Sequence, residues 1–145
     1  MSRPALFTEP WATALEHELA GDESYRRAAA GWNGSLLFVL EADPARGYGE
    51  ERRLFLDLAH GNARAVRPAL PGDDAAARFR LAGPAAVWLD LLEGGLEPGT
   101  AVLSGRLRLE RGSMFSLLPP LEAARRLLLC ARRVGDGSAP AAEAT

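Results

Sequence analysis

Apolar residues return every fourth position from Trp11 through Leu15 to Leu19, a spacing that predicts one buried stripe on a helix. Thr8 stands where an N-cap belongs, Pro10 fits the first turn, and Gly21 ends the run. Asp22 can cap a second helix carrying Tyr25, Ala28 and Ala29, which ends near Gly31. Beyond Asn33-Gly34 the period changes. Ser35 to Glu41 is a continuous apolar run short enough for a buried strand. Pro44, Gly47 and Gly49 mark the stretch from Asp43 to Glu50 as a hairpin loop. Arg53 to Ala59 then alternates, with Leu54, Leu56 and Leu58 on one face and Arg53, Phe55 and Asp57 on the other.

Gly61-Asn62 reads as a turn, and Ala63 to Arg67 as a short third strand closed by Pro68. Ala77 to Leu81 alternates again, Phe79 and Leu81 lying opposite Arg78 and Arg80. Gly83-Pro84 opens a helix whose one face carries Val87, Trp88, Leu91 and Leu92, and Gly94-Gly95 closes it. Pro98 can start one more helical turn. Arg106 to Glu110 is the last alternating strand, Gly112 breaks it, and Met114 to Leu118 is a compact apolar segment. Pro120 begins a final helix through Val134, with Arg132 and Arg133 at its negative end. The small polar stretch from Gly135 to Thr145 is expected to be a disordered tail. There is no internal repeat.

This order predicts an α+β domain. Strands with one apolar and one arginine-rich face form a sheet that buries one side under helices and leaves the other wet. The helical stretch between the fourth and fifth strands is long enough for a crossover, which allows that pair to be parallel.

Composition narrows the chemistry. The chain has 145 residues, enough for one domain with a real core. A net charge of −2 supplies no field for nucleic acid or an anionic membrane. All 17 basic residues are arginine, which with abundant alanine and glycine suggests a GC-rich coding sequence and a bacterial source. No apolar run reaches the roughly 18 residues that span a bilayer, and no signal-peptide segment is visible, so the expected location is the cytoplasm. Cys130 is the single cysteine and excludes an intramolecular disulfide.

Nothing assembles into a catalytic or metal constellation. His17-Glu18 begins like a zinc-protease motif, but Gly21 stands where the second histidine belongs. Gly47-Tyr48-Gly49 lacks the third glycine of a dinucleotide loop, Arg52 standing there instead. Cys130 lies among leucines and reads as an inert buried thiol. Ser104 and His60 are the conceivable reaction centres, and neither has a partner in the sequence. The arginines at 53, 78, 80, 106 and 108 share a sheet face on which Phe55 is the one obvious stacking aromatic, so a solvated face paired with Asp57 and Glu110 is favoured over an RNA surface. The expectation is no enzyme, no cofactor, no metal and no nucleic-acid partner.

Several stretches together resemble the sterol carrier protein type 2 family in its stand-alone prokaryotic form. Trp11 to Leu15 and Tyr25 to Gly34 are similar to the family's two opening helices and first turn. Ala75 to Gly83 resembles its fourth strand, Trp88 to Pro98 its helix and following turn, and Leu103-Ser104-Gly105-Arg106-Leu107-Arg108-Leu109 the glycine-led basic strand near its end. Arginine replaces the usual lysines, and Met114 to Pro120 is richer in leucine and proline than the family pattern. The resemblance covers residues 8 to 134, leaving 1–7 as an N-terminal tail and 135–145 as the C-terminal one. It implies a roughly five-stranded, mainly antiparallel sheet with helices over one face. It also implies an apolar tunnel between those layers, open to fatty-acyl, sterol or isoprenoid-like molecules.

On that reading the ligand-binding candidates are Leu36, Phe38, Leu54, Leu56, Phe79, Leu81, Val87, Trp88, Leu91, Leu92, Met114 and Phe115. Trp88 is the best single candidate, mid-helix on the face that should lie over Leu54, Leu56, Phe79 and Leu81. The same residues can instead fill a solid core. The protein would then be a docking or homodimerising module, whose Trp11 and Trp32 would be only partly covered in a monomer.

Overall fold

The computed structural model describes residues 5–117 and 120–134. Helix α1 spans Glu9–Ala20 and buries Trp11, Ala12, Leu15 and Leu19, the stripe its four-residue spacing requires. Thr8 occupies the N-cap, but its hydroxyl turns back to donate to the Ala5 carbonyl at 2.7 Å. Helix α2, Glu23–Ala28, is capped by Asp22, whose carboxylate accepts from the Tyr25 amide at 2.8 Å. Strand β1 runs Asn33–Glu41, β2 Arg52–Ala59 and β3 Asn62–Pro68. A short helix α3, Asp73–Ala76, precedes β4, Phe79–Pro84. Then come α4 (Ala85–Glu93), α5 (Pro98–Leu103), β5 (Arg108–Arg111), α6 (Met114–Leu117) and α7 (Leu121–Val134).

The five strands form one sheet in the order β3-β2-β1-β4-β5. Its parallel pair is β1 with β4, Leu36 opposite Phe79 and Phe38 opposite Leu81. The fourth and fifth strands, for which a parallel pairing was open, are antiparallel. Two helices, α4 and α5, fill the excursion between them, and the reversal at Gly94-Gly95 returns the chain to the end of the sheet it left. The sheet is therefore mixed and mostly antiparallel.

The side chains of Leu36, Leu54, Leu56, Leu58, Phe79 and Leu81 join the helices in one core, under α1, α2, α4 and α7. Leu6 and Phe7, within the stretch assigned to a tail, are buried in that core, and Arg52 donates to the Leu6 carbonyl at 3.0 Å. Both residues are too apolar to be left in water without cost. Residues 135–145, the other tail, lie outside the described residues.

The opposite face of the sheet is not simply wet. Leu37, Val39, Phe55, Ala77 and Ala82 make a second buried cluster there, under the segment that contains α3. The Arg67 guanidinium stacks over the Phe55 ring, 5.2 Å from its centroid, so the one candidate stacking aromatic is covered. Around this strip the arginines pair. Asp74 on α3 meets Arg53, Arg80 and Arg111, Asp73 meets Arg67, and Glu110 meets Arg80 and Arg108. Asp57 pairs with Arg64 at 3.5 Å. No helix among the described residues is long and apolar enough to cross a membrane.

Candidate functional site

Between the sheet and its helices lies a partly open apolar pocket of about 110 Å³. Its floor is the sheet: Leu36 and Phe38 of β1, Leu58 of β2 and Leu81 of β4. Alternation places these residues on the helix-covered face, since residues two apart on a strand share a side. Trp88 and Leu91 of α4 and Tyr25 of α2 form inner walls. Pro98, Gly99 and Val102 of α5, Leu117 of α6 and the α7 residues Leu121, Ala124, Leu127 and Leu128 close the helical side. Among the described residues, no charged side chain lines it.

Two of the three polar side chains in the wall are already bonded. Trp88 Nε1 donates to the Val39 carbonyl at 3.0 Å, in a buried position. Its ring sits 4.9 Å from that of Phe38 and 5.3 Å from that of Phe7, centroid to centroid. Trp32, half-buried at the pocket's edge, donates to the Ser116 carbonyl at 3.3 Å and so ties β1's approach to α6. The third is Tyr25. Burial first, and then the field of the neighbouring Cys130, push its phenol up to about 12. Cys130 is fully buried behind it on α7, 3.4 Å from an Asp22 carboxylate oxygen, and burial chiefly holds its thiol at about 12. Such a thiol carries no thiolate at neutral pH and is a poor nucleophile.

Of the residues singled out in the sequence, Leu36, Phe38, Leu81, Trp88 and Leu91 come together in the pocket wall. Leu54, Leu56, Phe79, Val87 and Leu92 are buried in the core around it and do not line it. Met114 and Phe115 lie on α6 outside the wall, Phe115 with 88% of its surface exposed. Tyr25, Trp32, Leu58 and the α5 and α7 contributions were not among the ligand-binding candidates. The α7 share had a signal, because Leu121, Ala124 and Leu128 follow one another at three and four residues, the spacing of one helix face.

The other candidate centres are occupied by structural bonds. His60 Nδ1 lies 3.1 Å from the Ala30 carbonyl, which can only accept, so that nitrogen carries the proton. Ser104 donates to the Ala101 carbonyl at 3.4 Å. Among the described residues, no group of three histidine, cysteine, aspartate or glutamate side chains could hold a metal ion. Trp11, expected to be only partly covered, is buried with 2% of its surface exposed, against the Phe7 ring at 5.6 Å.

Residues 13–116 match the SCP-2 sterol transfer family. A crystal structure of sterol carrier protein 2 shares 38% sequence identity over 88% of this chain and 97% of its own, with a TM-score of 0.78. The solution structure of a conserved hypothetical protein from Thermus thermophilus, TT1886, described as possibly a sterol carrier protein, shares 38% identity over 92% of each chain, with a TM-score of 0.80. The apo form of sterol carrier protein 2 from Yarrowia lipolytica, at 18% identity and a TM-score of 0.56 over 82% of this chain and 87% of its own, has the same fold. No curated protein matches the sequence.

Proposed function

This chain belongs to the SCP-2 sterol transfer family, and we propose that it takes up a lipid-like hydrophobic molecule in the pocket between sheet and helices and releases it chemically unchanged. The observation that carries this reading is a wall of leucines, tryptophans and small residues with no charged side chain among those described. Such a surface binds by removing apolar area from water, at about 0.8 kcal/mol for each buried methylene. It offers no nucleophile and no acid–base pair, and the raised Cys130 and Tyr25 values make both groups inert at neutral pH.

The size of the pocket adds a condition. At about 110 Å³ it is smaller than the ~150 Å³ apolar cavity that accommodates benzene. Pockets for larger molecules run to about 300–1,000 Å³. Uptake of a whole lipid therefore requires the helical wall to move away from the sheet. The single-turn α6, held to the sheet side through Trp32 and Ser116, is the smallest element in that wall.

Native mass spectrometry of the purified protein, with and without added fatty alcohols, fatty acids and sterols, tests the reading. A bound species of lipid mass at one per chain is expected. A protein that stays ligand-free with every class of probe refutes it. The alternative of a docking module with a solid core loses part of its motive, because Trp11 is covered within the single chain.

A further inference from the structure

Within the lipid-binding reading, on which this inference rests, the pocket has to widen before a lipid enters, and its helical walls differ in how they are held. Helix α7 buries Ala123, Leu127, Cys130 and Ala131, and its arginines tie it to other elements. Arg125 donates to Glu97 at the head of α5, Arg132 to the Leu92 carbonyl of α4, and Arg133 to Asp22 at the head of α2. Helix α5 buries Ala101, whose carbonyl accepts from the Leu107 amide at 2.9 Å. Helix α6 has no such anchorage. None of its four residues is buried, and Phe115 stands in water. Its turn is closed locally by Ser113, whose hydroxyl accepts from the Phe115 amide at 3.1 Å and whose carbonyl accepts from the Ser116 and Leu117 amides. Two things hold it to the rest of the fold: Leu117, which packs against the core at the pocket, and a hydrogen bond from Trp32 Nε1 to the Ser116 carbonyl at 3.3 Å. Among the described residues, no other hydrogen bond reaches α6 from a distant part of the chain. A single turn has little stability of its own, so such an element opens before its neighbours do.

The two partners in that bond are unequally fixed. The Trp32 amide donates to the Ala29 carbonyl at 3.1 Å, its carbonyl accepts from the His60 amide at 2.8 Å, and its ring lies 6.0 Å from that of Phe79. Gly112, just before α6, is pinned as well. Its φ is 103°, and a Cβ there would overlap the Phe79 ring and stand 3.0 Å from the Arg78 carbonyl oxygen. Movement of α6 therefore begins after Gly112. We propose that α6 is a flap over the pocket, latched by the Trp32–Ser116 hydrogen bond, and that release of this latch governs how fast a lipid enters and leaves. Trp32 and Leu117 both line the pocket, so release opens the wall itself. The latch is closed over the empty pocket and closes again over a bound molecule. Weakening it speeds entry and exit together and leaves affinity nearly unchanged.

The test is stopped-flow fluorescence with cis-parinarate and with dehydroergosterol, two fluorescent lipids of different class, the rates being read with whichever binds. The proteins are the wild type, Trp32→Phe and Ser113→Ala. Trp32→Phe keeps an aromatic ring beside Phe79 and removes the latching N–H. Ser113→Ala removes the hydroxyl that caps α6, from an exposed residue outside the pocket wall. Each variant is expected to raise the association and the dissociation rate about 3- to 10-fold, the worth of one neutral hydrogen bond, with little change in Kd. Loss of a mere wall contact acts on dissociation alone. If either folded variant fails to raise the association rate, the inference is overturned. If Trp32→Phe fails to fold, Ser113→Ala decides alone by the same criterion. A wild type that takes up neither probe refutes the lipid-binding reading itself, which separates the two failures.

Discussion

At Gly61 the backbone adopts φ 88°, and a Cβ built there would stand 2.5 Å from the Arg26 carbonyl oxygen. Two demands meet at one residue: a left-handed turn and the close approach of α2 to the β2–β3 hairpin. His60 beside it is also left-handed at φ 51°, with its amide donating to Trp32 and its ring to Ala30. Gly61→Ala should destabilise the protein by about 1–3 kcal/mol through strain alone, with the clash added, and urea denaturation would measure it. A loss within about 0.5 kcal/mol, the usual range of a surface substitution, would show that the turn relaxes freely. Asp74 gives a prediction of a different kind. The hydrogen bond from Arg80 chiefly, and then that from Arg111, hold its carboxyl below the ordinary aspartate value of 3.8, against the opposing effect of burial. A carboxyl depressed in the folded state contributes stability that is complete above its unfolded value and is lost as pH falls through the folded one. Asp74→Asn should therefore be less stable than wild type at pH 7, with the gap closing below about pH 4. A gap that stays constant through the acid range would show that the carboxylate charge contributes nothing. Gly61 was legible as a turn residue, but its contact with Arg26 was not, because nothing local in a sequence states which distant carbonyl will face a given Cα.

Among the elements, α4 carries the most consequence. Its apolar face was visible in the spacing of Val87, Trp88, Leu91 and Leu92, and all four are buried. Periodicity identifies the buried face of a helix, yet it cannot say which residues of that face touch packed atoms and which touch empty space. Trp88 and Leu91 border the pocket while Val87 and Leu92 do not. The same limit explains the sheet. Alternation placed Leu54, Leu56 and Leu58 together correctly, but only Leu58 reaches the pocket. Phe55 showed the converse, being buried on the face the arginines suggested was wet, because Leu37, Val39, Ala77 and Ala82 cluster with it and Arg67 stacks over its ring, contacts that no periodic signal marks. Trp88 was open to two assignments, cavity wall or packed core, and it has features of both. It lines the pocket, but it is 4% exposed, donates to Val39 and contacts two aromatic rings. Trp88→Ala should therefore cost about 3–5 kcal/mol in chemical denaturation of the ligand-free protein. A loss under about 1 kcal/mol would mean that the indole faces mostly empty space.

For the molecule as a whole, the pocket is a place where packing has been left incomplete, and filling it should separate stability from binding. Native interiors are packed as densely as organic crystals, so a gap lined by leucines forfeits contacts that a larger side chain could recover. Ala124 on α7 lines the pocket and is only half-buried, so added atoms can enter the space or lean toward its mouth without displacing the sheet. Ala124→Leu should leave the ligand-free thermal midpoint unchanged or raised, since filled space gains dispersion contacts and removes apolar surface from water. Lipid binding should fall at least tenfold in the same variant, because the added side chain takes volume that a pocket of about 110 Å³ cannot spare. The wild type offers the complementary measurement. A ligand that binds only the folded state at about 100 times its Kd adds about 2.7 kcal/mol of stability, and Ala124→Leu should lose that increment while keeping its own fold. A variant that binds lipid as well as the wild type would place the ligand elsewhere on the molecule. A variant that unfolds would show that the gap is too small for even one added branch, and that the helices cannot move apart as uptake requires.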